Sequence, residues 1–245
     1  VVVNAVVGIS RIRDDFAAYL IKNSASLHPY IITLCSLPAL NGTAIHVEYA
    51  VVPQVDRRTK AGKAEIESFK AEHAEQTWID AEDFETIKDM YEALMLNEDI
   101  SKILTAENRV EVPFFWVDEE TGEECKCKAD IITEIDGVPY IIDYKTTTSC
   151  EDGAFERSAR KYGYRFQAGF YSEGINMCTM EDHVFAFIAQ EKTAPYMARL
   201  FICDEGFVNA GKREFHELLR KYHQCKETNE WKGYETEYLY AEEYE

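Results

Sequence analysis

The dipeptide Asp136-Gly137, set between two runs of β-branched and aromatic residues, constrains this chain more than any other feature. Asp-Gly readily takes the positive φ angles of a two-residue hairpin turn. The flanking runs, residues 124–135 and 138–146, have the composition of strands. A turn of that length leaves one register, with Ile135 opposite Val138 and, counting outwards, Asp130 opposite Asp143. Directly opposed residues stand about 4.5–5.5 Å apart at Cβ. Lys145, two residues beyond Asp143, projects from the same face of the strand. The doublets Ile131-Ile132 and Ile141-Ile142 imply a sheet covered on both sides.

Two carboxylates opposed in a buried sheet repel, unless one is protonated or a cation sits between them. A hard divalent ion such as Mg²⁺ answers this economically, because it binds through one or two carboxylates and keeps room for water and phosphate. Such an ion activates water and offsets charge on a phosphoryl oxygen. A lysine beside it can orient the water or neutralise a developing phosphorane. These are the requirements of phosphodiester cleavage. An isolated Asp-x-Lys is ordinarily a solvated surface pair; here it ends an apolar strand with a second Asp opposite, which favours a site.

Residues 110–117 read as a further strand before the hairpin. A helix over residues 151–174, strands over 183–190 and 196–203, and a helix over 205–225 follow it. Upstream, residues 39–50 read as a short helix, 51–55 as a strand or extended segment and 60–76 as helical. Residues 81–104 read as one long helix capped by Asp80, with Asp83 at the capping-box position. The apolar start, residues 1–7, reads as a buried strand. The pattern is that of a single α/β domain over residues 1–245, built on a central mixed sheet flanked by helices. Its core spans about 39–204, and a helix and acidic tail make up 205–245.

No stretch reaches the roughly 20 apolar residues of a membrane span, so no membrane partner is expected. The seven cysteines are odd in number and scattered, unlike a secreted disulfide framework. Cys125 and Cys127 share a strand face without zinc-knuckle spacing, so they read as structural. A reducing cytoplasmic location is the expectation. The net charge of −19 argues against polyanion binding, but the charge is uneven. Acids crowd residues 65–99 and 227–245. Bases cluster at Arg57, Arg58, Lys60 and Lys63, and again at Arg157, Arg160, Lys161 and Arg165. Local patches decide binding.

The string Ala129-Asp130 with Ile141-Ile142-Asp143-Tyr144-Lys145-Thr146 resembles the PD-(D/E)xK nuclease superfamily, with Ala129 where a Pro is common. Gly42-Thr43-Ala44-Ile45-His46 resembles the Gly-x-x-x-His helix of its RecB-like branch. Gln167-Ala-Gly-Phe-Tyr171 resembles that branch's Gln-x-x-x-Tyr helix, whose two polar residues share one face. Three further segments are similar to the exonuclease VIII (RecE-type) nuclease domain of phages and prophages. They are Asp56-Arg-Arg-Thr-Lys-Ala-Gly-Lys63, Phe115-Trp-Val-Asp with Thr121-Gly122, and Cys125-Lys-Cys-Lys-Ala-Asp130.

The resemblance spans about residues 39–174. It implies a Mg²⁺-dependent exonuclease, with Mn²⁺ as a substitute, that degrades linear double-stranded DNA 5′→3′ and leaves 3′ single strands for recombination. It also implies a RecT-type annealing protein as partner and a homo-oligomeric ring. Carried over are Asp130, Asp143 and Lys145 as catalytic residues, with Gln167 and Tyr171 in support. His46, Asp130 and Asp143 become metal ligands, and Arg57, Arg58, Lys60 and Lys63 contact DNA. Glu111 stands where related nucleases often carry an acid, and equally where a solvated strand-edge Glu would. Two other readings compete: a RecB-like nuclease of repair or CRISPR type, and a catalytically inactive DNA-end-binding module.

Overall fold

The hairpin forms as its turn requires: Asp136 and Gly137 both adopt positive φ, 52° and 79°. The structure, a computed structural model, describes residues 49–233. Its elements in order are β1 (Tyr49–Val52), α1 (Lys60–Glu72), β2 (Thr77–Asp80), α2 (Ala81–Met95), α3 (Glu98–Thr105), β3 (Asn108–Val117), β4 (Glu124–Ile135), β5 (Val138–Thr147), α4 (Ala154–Tyr162), α5 (Tyr164–Thr179), β6 (Val184–Glu191), β7 (Ala198–Ile202) and α6 (Glu205–Thr228). The main sheet runs β3-β4-β5-β6-β7. Neighbours are antiparallel except β5 and β6, which are parallel, with Asp143 opposite Phe187. The α4–α5 segment is the crossover between those two strands. β1 and β2 form a separate parallel pair.

Two helices expected to be continuous are broken, each for a local reason. The run over 81–104 stops at Met95 because Asn97 caps a new helix, its side chain accepting from the backbone of Asp99 and Ile100. The run over 151–174 breaks at Gly163, whose φ of 69° closes α4 and opens α5. Asp80 stands at the N-cap of α2 but makes no capping bond. Its carboxylate instead accepts from Arg57 at 2.9 Å. The predicted strand at 1–7 and most of the predicted helix at 39–50 lie outside the described residues, although Tyr49 and Ala50 are in β1 rather than in a helix.

The sheet is covered on both faces, by different materials. One face carries Trp116, Phe155, Tyr164, Phe170, Phe185, Phe187 and Phe215 against α4, α5 and α6. The other carries Ile131, Ile142, Ile188, Ile87, Leu94 and Ile103 against α2 and α3. Helix α6 is part of the aromatic core, since Phe215 and Leu219 are fully buried. It approaches α5 so closely that a Cβ on Gly169 would overlap the backbone of Gly211 and Lys212. Among the described residues no helix is long and apolar enough to cross a membrane.

One irregularity positions the site. On β4, Cys125, Cys127 and Ala129 point into the aromatic core, whereas Ile131 points into the aliphatic one. On β3, Val112, Phe114 and Trp116 belong with the first core and Val110 with the second. The register is unchanged through this point, with Val112 opposite Ala129 and Val110 opposite Ile131. The side-chain alternation therefore shifts at Glu111 and Asp130, and Glu111 takes a φ of 54° to do so. A left-handed residue inside a strand costs of the order of 1–3 kcal/mol and tends to accompany a functional constraint.

Candidate active site

Asp143 lies in the middle of β5, the central strand, and is 2% exposed. A carboxylate so placed needs compensation, and two neighbours supply it. Gln167 Nε2 on α5 donates to Asp143 Oδ1 at 2.5 Å. The Lys145 ammonium forms an ion pair with Oδ2. Lys145 is itself largely buried and stands over the Tyr164 ring, 5.2 Å from its centroid.

Asp130 reaches the same place from β4. Hydrogen-bonded pairing of β4 with β5 runs from Ile135–Val138 to Ile131–Ile142. At the next position the Asp130 carboxylate substitutes for a ladder carbonyl, accepting from the Tyr144 backbone N–H at 2.9 Å. The expected register is therefore present, and the carboxylate occupies the point where the two strands part.

Gln167 and Tyr171 lie one turn apart on α5, as the sequence implied. Gln167 also hydrogen-bonds the Tyr171 side chain. Burial, and then the negative charges of Asp143 and Asp130, push the Tyr171 phenol far up, so it stays protonated. Five predicted residues are thereby gathered: Asp130, Asp143, Lys145, Gln167 and Tyr171.

Two positioning residues were not singled out from the sequence. Tyr144, between Asp143 and Lys145, points into the opposite core, where its hydroxyl donates to Gln190 Oε1 at 2.6 Å. Gln190, fully buried, donates in turn to the carbonyls of Met90 and Tyr196 at 2.8 and 3.0 Å. Tyr144 is thus held at both its phenol and its backbone N–H, which fixes β5 between Asp143 and Lys145. A lone Gln closing the apolar run of β6 was the available signal.

The other predicted residues stand differently. Glu111, opposite the Asp130 position on β3, is ion-paired with Lys128. Arg57 is paired with Asp80 and Arg58 with Asp56 at 3.1 Å. Lys60 and Lys63 are exposed at the start of α1. His46 lies outside the described residues. Burial pushes the thiols of Cys125, Cys127 and Cys203 up to about 12 and that of Cys150 to about 11. They are protonated, packed side chains rather than thiolate ligands.

Among the described residues no group of three or more His, Cys, Asp or Glu side chains converges to hold a metal. Two carboxylates do converge, Asp130 and Asp143. An all-oxygen pair, one member deeply buried, fits a hard divalent ion that keeps most of its own water.

No curated protein matches the chain. Among solved structures, it is similar to a protein described as a candidate exonuclease from Eubacterium rectale, with 17% identity and a TM-score of 0.49. That match covers 69% of this chain and 64% of the other, so the chain spans less than two thirds of that relative. It is also similar to a protein named SSO0001, with 12% identity and a TM-score of 0.31, over 78% of this chain and 85% of that one. A family model matches far more directly, over residues 38–242. That match takes in the six described helices, the five-stranded sheet and the Asp130–Asp143–Lys145 cluster: the chain belongs to the PDDEXK-like domain family DUF3799, described as a domain of unknown function.

Proposed function

We propose that this chain is a Mg²⁺-dependent nuclease that degrades linear double-stranded DNA 5′→3′, leaving 3′ single strands for recombination. The observation that carries the nuclease reading is the meeting of Asp130, Asp143, Lys145 and Gln167 at one point of the sheet. A buried charge conflict of this kind opposes stability and is understandable where chemistry needs it. The direction of attack, a RecT-type annealing partner and a ring-shaped assembly are supported by the resemblance to exonuclease VIII.

Asp130 and Asp143 would hold the metal, with His46 as a third ligand by resemblance and Mn²⁺ as a substitute. Bound there, Mg²⁺ supplies positive charge that offsets what builds on a phosphoryl oxygen and makes water more acidic. Lys145 carries an ammonium at the same carboxylate, placed to orient an attacking water or to neutralise charge on the phosphorane. Gln167 fixes the Asp143 rotamer, and the Tyr144 N–H fixes that of Asp130. Tyr171 contributes an O–H that is not lost at neutral pH.

The test is digestion of blunt linear duplex labelled at either end, with Mg²⁺ or with EDTA, beside a closed circle. Early release of the 5′ label with circles intact is expected. Asp143→Ala should lower the rate by about a thousandfold or more, some 4 kcal/mol of barrier, while the protein stays folded. Full activity in that variant would refute the assignment. Cleavage of circles would keep the site and make the protein an endonuclease. Binding without cleavage would make it a DNA-end-binding module.

A further inference from the structure

We infer that the exposed basic stripe Arg157, Arg160 and Lys161 on α4 is the track that receives the phosphate backbone of duplex DNA beside the active site. The inference rests on the nuclease reading above and names the substrate-binding surface of that site.

Residues 157, 160 and 161 are spaced i, i+3, i+4, so they share one helix face, and all three are exposed. The opposite face is anchored: Phe155 and Ala159 are buried, and Phe155 stacks on Phe201 with centroids 4.4 Å apart. The stripe is thus presented on a rigid support.

It is also continuous with the site. Lys145 stands over Tyr164, the Tyr164 and Tyr162 rings are 5.9 Å apart, and Lys161 Nζ lies 5.3 Å from the Tyr162 centroid. A pair of tyrosine rings therefore links Lys145 in the acid cluster to Lys161 on the helix surface, with a cation at each end.

Among the cations around α4, charge accounting sets the same residues apart. The neighbouring cations are spent on acids, Arg165 on Glu214 at 3.2 Å and Arg199 on Asp152 at 2.6 Å. Arg157, Arg160 and Lys161 form no ion pair among the described residues. Cations near a helix C-terminus are favoured by the helix dipole, which accounts for Arg160 and Lys161 in the last turn. It does not account for Arg157, nor for the alignment with Lys145. In a chain of net charge −19, such a patch is where a polyanion is admitted.

The experiment is fluorescence anisotropy of a labelled linear duplex in EDTA over a salt series, with wild type and the triple variant Arg157→Ala/Arg160→Ala/Lys161→Ala. The variant should bind at least about tenfold more weakly, with a log–log salt slope shallower by about 2–3, near 0.9 for each phosphate contact removed. Arg157→Lys/Arg160→Lys, which keeps the charge, should stay close to the wild-type slope. Wild-type affinity and slope in a triple variant of unchanged melting temperature, with the wild type cleaving normally, would overturn the track and leave the nuclease standing. A wild type that neither binds nor cleaves duplex would overturn both.

Discussion

The two faces of the sheet do different work. The face under α2 and α3 is filled by Ile, Leu and Met side chains, and its polar centre, Gln190, is used up in holding Tyr144, Met90 and Tyr196 together. The face under α5 and α6 is filled by aromatic rings, and its polar residues, Asp143, Lys145 and Gln167, converge on one another. Both polar groups are buried, but only the second concentrates charge. Branched aliphatic residues fill space without directing anything. Rings packed at fixed angles hold α5 where Gln167 meets Asp143. One face holds β5 from behind, through Tyr144 and Gln190, and the other mounts the candidate site.

Substitutions on each face can break that contrast. Leu94→Ala, in the aliphatic core, should cost about 3–5 kcal/mol in denaturant unfolding, with the rate of the surviving folded protein unchanged. A rate that fell with stability would show that the faces are not separable. Gly169→Ala should cost about 1–3 kcal/mol by forcing α5 off α6. Because α5 carries Gln167, it should also slow cleavage, and melting curves read beside turnover would separate the two effects. Gln167→Ala should lower activity about 10–100-fold, the usual penalty for losing the partner of a metal-binding carboxylate, with little change in melting temperature.

The smallest effect concerns the β3–β4 turn, where it docks on α6. Burial works against the Glu123 carboxylate, but Lys226 at 2.7 Å and His223 at 2.8 Å outweigh it and hold its pKa below the ordinary value of 4.5. A depressed carboxylate stabilises the fold above its unfolded pKa, and that contribution fades as pH falls through the lower folded value. Melting temperature should therefore drop as pH falls below about 4.5, and Lys226→Ala should flatten the drop.

Local chemistry explains which parts were readable in advance. The β4–β5 register followed from Asp136-Gly137 alone; the Gln167–Tyr171 pair came from the resemblance to the Gln-x-x-x-Tyr helix, and helical spacing put both residues on one face. The break at Asn97 is a capping event, and capping residues are equally at home on exposed helix faces. The break at Gly163 competes with the many glycines that helices tolerate, such as Gly169 and Gly174 within α5. β1 was read in part, as a strand or extended segment over 51–55, and β2 was missed, because four-residue strands carry too little periodicity.

By itself the sequence determined the strands of the main sheet, the hairpin register, the opposition of Asp130 to Asp143 and the position of Lys145 beside them, because turn type and side-chain alternation are local properties. Tertiary structure decided the rest. It turned the alternation at Glu111 and Asp130, set Gln190 behind Tyr144, and brought α6 into the core. It also spent Arg57 and Arg58 on Asp80 and Asp56 while leaving Arg157, Arg160 and Lys161 unpaired. Which charges meet depends on residues far apart in the chain being folded side by side, and no local pattern encodes that.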